Sequence, residues 1–252
     1  MKMTRRMMRK LLAVLAFLAA PAAVATTAPC SVTTFEGSDF TLCEVPAGAD
    51  LRLFHSDPVG DLLGSFGAVN RLLAAEGRQL AFAMNAGMYH PDRAPVGLYV
   101  ENGAERSGIV LPASKGNFGL LPNGVFCIRD DGFAVIESRA FAKAPPACRF
   151  ATQSGPMLVI GGKLHPRFIP GGDSRYIRNG VGVSADGRRA VFAISETAVN
   201  FDTFGRLFRD ALGLPDALYF DGKISRLYAP ALRRNDFGLP MGPIVGLAVP
   251  KP

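Results

Sequence analysis

The sequence predicts an α+β fold: a single domain with a mixed, largely antiparallel sheet and a few helices, including a strand–helix–strand (βαβ) crossover. Three observations carry that reading. Short apolar runs are repeatedly closed by turn residues, as in 96–100 before Glu101-Asn102-Gly103, 125–128 before Asp130-Asp131-Gly132, and 157–160 before Gly161-Gly162, which is how hairpins are punctuated. Two stretches, 61–75 and 201–212, instead repeat their apolar residues at helical spacing. No Pro-, Gly- or Ser-rich linker divides residues 26–252, a length that suits one well-cored domain. So many paired strands beside so few helices argue against a doubly wound parallel sheet.

Residues 1–25 read as a secretory signal peptide. They hold five of the chain's 28 basic residues and none of its 21 acidic ones, then an apolar run at 11–20 and the small residues Ala23-Val24-Ala25. That run falls short of the roughly 20 residues a membrane span needs. Without this segment the formal charge of +7 becomes 23 basic against 21 acidic residues, or +2, and nothing in the remainder suggests a nucleic-acid surface or a membrane partner. Export to the periplasm or beyond makes the four cysteines disulfide partners. Three pairings are possible; the sequence-local choice is Cys30 with Cys43 and Cys127 with Cys148, each pair flanking a hairpin or loop. No Cys-x-x-Cys spacing suggests zinc.

Along the chain, 32–46 and 51–55 alternate apolar and polar residues as strands do. Residues 61–75 place Leu62, Leu63, Phe66, Val69, Leu72 and Leu73 on one helical face, with Gly77 as the stop. An apolar strand at 80–84 then runs into Asn85-Ala86-Gly87-Met88-Tyr89-His90. After the central hairpins, 142–147 is a loop with two prolines, and 151–156 (Ala-Thr-Gln-Ser-Gly-Pro) is a tight polar loop in which Gln153, Ser154 and Gly155 can present donors to a sugar or phosphate. An ordinary turn explains the same composition.

Residues 181–183 and 190–195 form a hairpin through Ala185-Asp186-Gly187; helix 201–212 is capped by Asn200 or Asp202 and closed by Gly213 and Pro215; strand 217–220 ends at Asp221-Gly222. A right-handed crossover lays 190–195 and 217–220 parallel, so Glu196 and Asp221 emerge on the same edge. As neighbours, their carboxyl groups would lie roughly 5–10 Å apart, the range of glycoside-cleaving pairs. The plainer reading, a helix cap for Glu196 and a turn for Asp221, stands beside it.

Asn85-Ala86-Gly87-Met88-Tyr89, Ser154-Gly155-Pro156, Arg178-Asn179-Gly180-Val181-Gly182 and Asp221-Gly222-Lys223-Ile224-Ser225, in this order and at these separations, resemble the phosphodiester glycosidase family, which includes the lysosomal uncovering enzyme and many exported bacterial proteins, some linked to exopolysaccharide. The likeness runs from about residue 40 to 230. It implies a single α+β domain that hydrolyses the bond between a sugar's anomeric carbon and a phosphodiester oxygen. Its motifs place Asn85, Arg178 and Asp221 at the core of the site, with Ser154, Gly155 and Ser225 as lining. The family's glycine-rich Asp-Gly-Gly-Gly-Ser-Ser is here Asp221-Gly222-Lys223-Ile224-Ser225-Arg226, a bulkier and more cationic wall.

The expected catalytic set is therefore Asp221, Glu196, Arg178 and Asn85, with Gly87, His90, Gln153, Ser154, Gly155, Asn179 and Ser225 binding substrate. Arg178 offers a planar fork to phosphate, helped by Lys223 and Arg226, while Asp221 or Glu196 activates water or stabilises an oxocarbenium ion. No cofactor is expected; a divalent cation such as calcium, held by Asp221, Glu196 and Asn85, fits hard oxygen ligands without any recognised motif. His90 and His165 are plausible proton donors, and His55 is peripheral. No Gly-x-Ser-x-Gly elbow points to a serine hydrolase. The alternative function is a non-catalytic carbohydrate-binding or polysaccharide-assembly protein on the same fold.

Overall fold

The structure is a computed structural model that describes residues 29–252; the expected signal segment, 1–25, lies outside the described residues. In chain order the elements are β1 (Cys30–Phe35), β2 (Ser38–Pro46), β3 (Leu51–Phe54), α1 (Phe66–Ala74), β4 (Arg78–Asn85), β5 (Tyr99–Glu101), β6 (Ala104–Ser107), β7 (Gly124–Ile128), β8 (Phe133–Glu137) and α2 (Ser138–Lys143). They continue with β9 (Phe150–Ser154), β10 (Met157–Ile160), β11 (Lys163–Leu164), β12 (Asn179–Val183), β13 (Arg189–Ser195), α3 (Phe201–Arg206), β14 (Asp216–Asp221), β15 (Leu227–Ala229), β16 (Arg234–Asn235) and β17 (Ile244–Pro250).

Three sheets form, in the orders β1-β2-β13-β12-β14-β10-β11, β16-β15-β4-β17-β3 and β6-β5-β9-β7-β8. Their inner faces share one core in which Phe82, Phe126, Phe192 and Phe220 meet, with Phe82–Phe192 and Phe126–Phe192 ring centroids 5.4 and 5.6 Å apart. The amphipathic helices close the outer faces. Phe66, Val69 and Leu73 of α1 pack on Leu80, Ala83, Ile244 and Ala248, and Phe204 of α3, with Leu207 and Phe208 just beyond it, packs on Val191, Ala217 and Tyr219.

The α+β class holds, with two geometric corrections. β13 and β14 do run in the same direction, but both pair antiparallel with β12, which lies between them. The hairpin partner of β13 occupies the slot that a crossover strand would otherwise fill, so the ends of β13 and β14 are about two strand spacings, roughly 10 Å, apart. The helix expected from residue 61 starts at Phe66, where Ser65 Oγ accepts from Ala68 N. Residues before it are spent elsewhere: Asp57 Oδ1 accepts from Val59 N and Asp61 N, and Ser56 pairs with Leu62.

Helix α3 begins at the Asn200 cap, whose Oδ1 accepts from Thr203 N at 2.8 Å. It continues as a π-turn over Leu207–Ala211, so the helical periodicity reaches 211. α2, missed in the sequence, is a short helix capped by Glu137.

The disulfides are Cys30–Cys43 and Cys127–Cys148, the sequence-local choice. Cys30 and Cys43 are register partners across the first hairpin. Constraining loops of this size in the unfolded chain is worth about 2–4 kcal/mol. Dithiothreitol is therefore expected to lower Tm by roughly 5–15 °C in differential scanning fluorimetry. Among the described residues no helix is long and apolar enough to cross a membrane.

Candidate active site at the Asp221 strand end

The three sheets converge where β14 ends. Asn179 at the start of β12 is the Cα partner of Asp221, Ser154 at the end of β9 donates from Oγ to Phe220 O at 3.0 Å, and Asn85 closes β4. Asn85 and Asn179, both fully buried, hold each other. Asn85 Nδ2 donates to Asn179 Oδ1 at 3.2 Å and Asn179 Nδ2 donates to Asn85 O at 2.9 Å, while Asn85 Oδ1 accepts from Arg226 N at 3.0 Å. Ser225 Oγ sits 2.8 Å from Ile177 O, 3.1 Å from Asp221 O and 3.2 Å from Asn179 Oδ1, with one proton to give among them. Buried amides satisfied in this way fix their neighbours. The loop 222–226 is thereby tied to two sheets at once.

That loop presents Asp221. Its Oδ1 accepts from Gly222 N at 2.6 Å and Lys223 N at 2.8 Å, an Asx turn, and no hydrogen bond engages Oδ2. Burial pushes the Asp221 carboxyl above its ordinary value of 3.8, and the turn's N–H groups oppose the shift without cancelling it.

Near this carboxyl the Tyr89 hydroxyl has no hydrogen-bond partner, and on the α3-facing side of the sheet neither do the Tyr219 hydroxyl and Arg178 Nη1. Burial raises both phenols, and the Asp221 charge adds to the rise in each. Arg178 and Tyr219 influence each other electrostatically, but their geometry falls short of a hydrogen bond, and both count as unpartnered. Orphaned buried donors mark a place for a ligand or water. The Tyr219 hydroxyl is 2.1 Å from where a Gly222 Cβ would stand, so residue 222 can carry no side chain.

Arg178 is fully buried. Its Nε donates to Val199 O at 2.8 Å and Nη2 to Ser174 O at 2.7 Å, and its guanidinium lies 3.6 Å from the Phe201 ring centroid, with Tyr176 and Tyr219 at 5.5 and 5.3 Å. Desolvation lowers its pKa. Aromatic faces stand where a carboxylate would normally compensate such a cation. Nη1 is left without a partner.

Other sequence candidates are placed elsewhere or spent on the scaffold. Glu196 Oε1 accepts from Thr41 Oγ1 and from Arg234 Nη1, each at 2.6 Å, and Arg234 also binds Asp236. The intervening β12 and this ion pair account for its separation from Asp221. Glu196→Gln is therefore expected to leave turnover within about twofold and stability within about 1 kcal/mol, checked by parallel rate and urea-melt measurements.

Gln153 is buried and saturated. Its Oε1 accepts from Leu98 N and Val110 N, and its Nε2 donates to Val110 O and Ser138 Oγ. Gly87 adopts φ +83°, and a Cβ there would meet Thr152 Oγ1 at 2.7 Å; one on Gly155 would meet Asn123 Cβ at 2.6 Å. Both glycines allow chain segments to pack close behind the site. The His90 ring is exposed, and His165 is buried against Phe168, its Nδ1 accepting from Arg167 N. His55 Nε2 lies 2.9 Å from Arg93 O.

The trio expected to hold a cation is not assembled, because Glu196 and Asn85 are committed as above; among the described residues no cluster of three or more His, Cys, Asp or Glu is placed for a metal. Two open recesses, of about 300 and 230 Å³, lie at the opposite ends of the strands. They are lined by ion-paired groups such as Asp50 with Arg52 and by the β12–β13 turn, and they hold none of the groups around Asp221.

The sequence reading missed Tyr89 and Tyr219. A bulge between Tyr219 and Asp221, which pair with Gly180 and Asn179 respectively, breaks the two-residue alternation of β14, so a strand pattern alone does not relate the two side chains.

The sequence model of the phosphodiester glycosidase family matches residues 78–237, a span that includes Asn85, Asn179 and Asp221. The uncharacterised Escherichia coli (strain K12) protein YigE is 37% identical over 183 residues, 73% of this chain and 71% of that protein. The catalytic domain of zebrafish N-acetylglucosamine-1-phosphodiester alpha-N-acetylglucosaminidase, solved in a form auto-inhibited by its pro-peptide, aligns at a TM-score of 0.59 with 14% identity, covering 86% of this chain and 81% of that one, and so shares its fold. On the extent of the family match and the identity to YigE, this chain belongs to the phosphodiester glycosidase family.

Proposed function

We propose that the chain is an exported hydrolase that cleaves the bond between a sugar's anomeric carbon and a phosphodiester oxygen, with Asp221 as its central group. The observation that carries the reading is a half-buried carboxylate with one oxygen unengaged, held in a turn whose loop also carries Lys223 and Arg226, with the unpartnered Tyr89 hydroxyl close enough to feel its charge. Donors suited to phosphate oxygens thus stand beside an acceptor suited to a cationic sugar carbon and its attacking water.

In this mechanism the anomeric C–O bond breaks with its electron pair going to the phosphate. Water supplies the hydroxyl at the anomeric carbon, and Asp221 takes the proton and stabilises the oxocarbenium-like charge. A phosphate monoester, with a pKa of about 6, leaves without a strong general acid, so one carboxylate suffices and Glu196 need not take part. Arg226 and Lys223 serve the phosphate, and Tyr89 a sugar hydroxyl, while Arg178 and Tyr219, fully buried, support the strand ends. Asn85, Asn179, Ser154 and Ser225 hold the loop in place, with Gly87 and Gly155 behind it.

Export rests on residues 1–25 and on the two disulfides, which belong in an oxidising compartment. Periplasmic or secreted, the protein would meet cell-envelope glycans or exopolysaccharide. The test is incubation of the purified protein with a panel of sugar 1-phosphodiesters and assay of free sugar. Release supports the enzyme; tight binding with no release would make it a carbohydrate-binding protein instead.

Tyr89→Phe separates a ligand-directed hydroxyl from a structural one. Removing an unpartnered hydroxyl costs the fold little, so Tm should hold. A lost hydrogen bond to a neutral sugar hydroxyl is worth about 0.5–1.5 kcal/mol, so kcat/KM should fall roughly 2–10-fold. An unchanged rate would remove Tyr89 from the site.

A further inference from the structure

The loop 222–226 carries Lys223 and Arg226, the groups given to the phosphate, and its far end runs straight into β15. Two consecutive N–H groups fasten that end. Arg226 N donates to Asn85 Oδ1 at 3.0 Å, and Leu227 N donates to Asp236 Oδ2 at 2.9 Å. The second bond stands in for a strand ladder. β15 pairs with β16 at Tyr228 and Ala229, and one residue further Asp236 N still donates to Leu227 O at 3.0 Å. The reciprocal acceptor for Leu227 N is then the Asp236 carboxylate, a stronger one than a neutral carbonyl.

That carboxylate is itself braced. Arg234 Nε and Nη2 donate to Asp236 Oδ2 at 3.1 and 2.9 Å, and Arg234 Nη1 donates to Glu196 Oε1 at 2.6 Å. Glu196 also accepts from Thr41 Oγ1, a buried group on β2. The end of the loop, in the second sheet, is thereby tied to the first. From Asp236 the backbone reaches Leu239, whose O accepts from Arg226 Nη1 at 2.5 Å. A Cβ on Gly238 would stand 2.4 Å from Arg226 Nη2, so the guanidinium packs close against this segment. The segment that starts at Asp236 therefore holds both the backbone exit of the loop and the side chain of Arg226.

We propose that Asp236 is a positioning residue that fixes residues 222–227 and places the Arg226 guanidinium for the phosphate. This rests on the reading of Asp221 as the hydrolytic centre and of Arg226 as a phosphate ligand.

The experiment compares Asp236→Ala and Asp236→Asn with the wild type well below Tm. It reads hydrogen exchange in peptide 222–227 and kcat/KM on the methyl ester of N-acetylglucosamine 1-phosphate. Alanine removes the acceptor; asparagine keeps one oxygen for Leu227 N and Arg234 Nη2. In the alanine variant exchange in 222–227 should rise by at least about tenfold while that of the buried strand β13 is unchanged. Its kcat/KM should fall about ten- to a hundredfold, the size of loss that displaced groups produce. Asparagine should bring both readings back to within about threefold of wild type. Glu196→Gln, which keeps an acceptor for Arg234, should leave both near wild type.

An alanine variant that melts lower yet keeps wild-type exchange in 222–227 and wild-type kcat/KM makes Asp236 a strut for the fold alone and overturns the proposal. A rise in exchange spread evenly over the chain overturns it too. If the wild type cleaves no ester but alanine still loosens 222–227 locally, the positioning of the loop stands and the hydrolytic reading falls.

Discussion

Asp221→Asn is expected to cut release of sugar from a glycosyl phosphodiester by about a hundred- to ten-thousandfold in kcat while leaving the protein as stable as before, or more so. The two halves have one cause. Burial holds the Asp221 carboxyl above 3.8, so the folded state binds its proton more tightly than the unfolded chain does. Above that raised pKa the ionised group costs folding free energy; below the unfolded pKa the cost is absent. An amide removes the cost at neutral pH and still accepts from Gly222 N and Lys223 N. The gain in Tm over wild type should therefore shrink as pH falls through the raised pKa. Wild-type turnover should fall over the same interval, because the acting form is the carboxylate. Retained turnover in the variant would end the role given to Asp221.

Arg178→Ala should be the most damaging single change to the fold. It strips Val199 O and Ser174 O of their donors, removes the cation that Phe201, Tyr176 and Tyr219 surround, and leaves a cavity. Comparable losses run to about 3–5 kcal/mol, or roughly 10 °C in Tm for a chain of this size. Arg178→Lys tells a strut from a charge. Lysine keeps the charge but cannot hold both carbonyls with one planar fork. If Arg178 supplied charge alone, lysine would restore stability and rate together; the structure leads us to expect that it restores neither in full.

Local chemistry made much of the fold legible. Ala185-Asp186-Gly187 announces the β12–β13 hairpin, and Asp186 accepts from Ser184 Oγ and Arg188 N within that turn. Asn200 is visible as a cap, and cysteines that flank short loops pair with each other. Asp221 was legible too, as a carboxylate placed where an apolar strand stops.

Sheet order was not legible. Strand patterns do not say which strand lies between two others, and β12 between β13 and β14 is what parts Glu196 from Asp221. The partner that occupies Glu196, Arg234, lies 38 residues further on and has no local signature. Nor does a sequence show which hydroxyls go unpaired. Tyr89 lay inside a quoted motif and Tyr219 two residues before Asp221, yet each reads as an apolar residue until its surroundings are known. The same holds for Arg178, whose charge suggested an open phosphate site and whose surroundings are aromatic and dry.

The most direct test is a crystal structure of Asp221→Asn soaked with the methyl ester of N-acetylglucosamine 1-phosphate. The account expects the anomeric carbon beside residue 221 and the phosphate oxygens within hydrogen-bond distance of Lys223 or Arg226. A ligand seated away from this strand end, or none bound at a concentration that saturates turnover in the wild type, would contradict it.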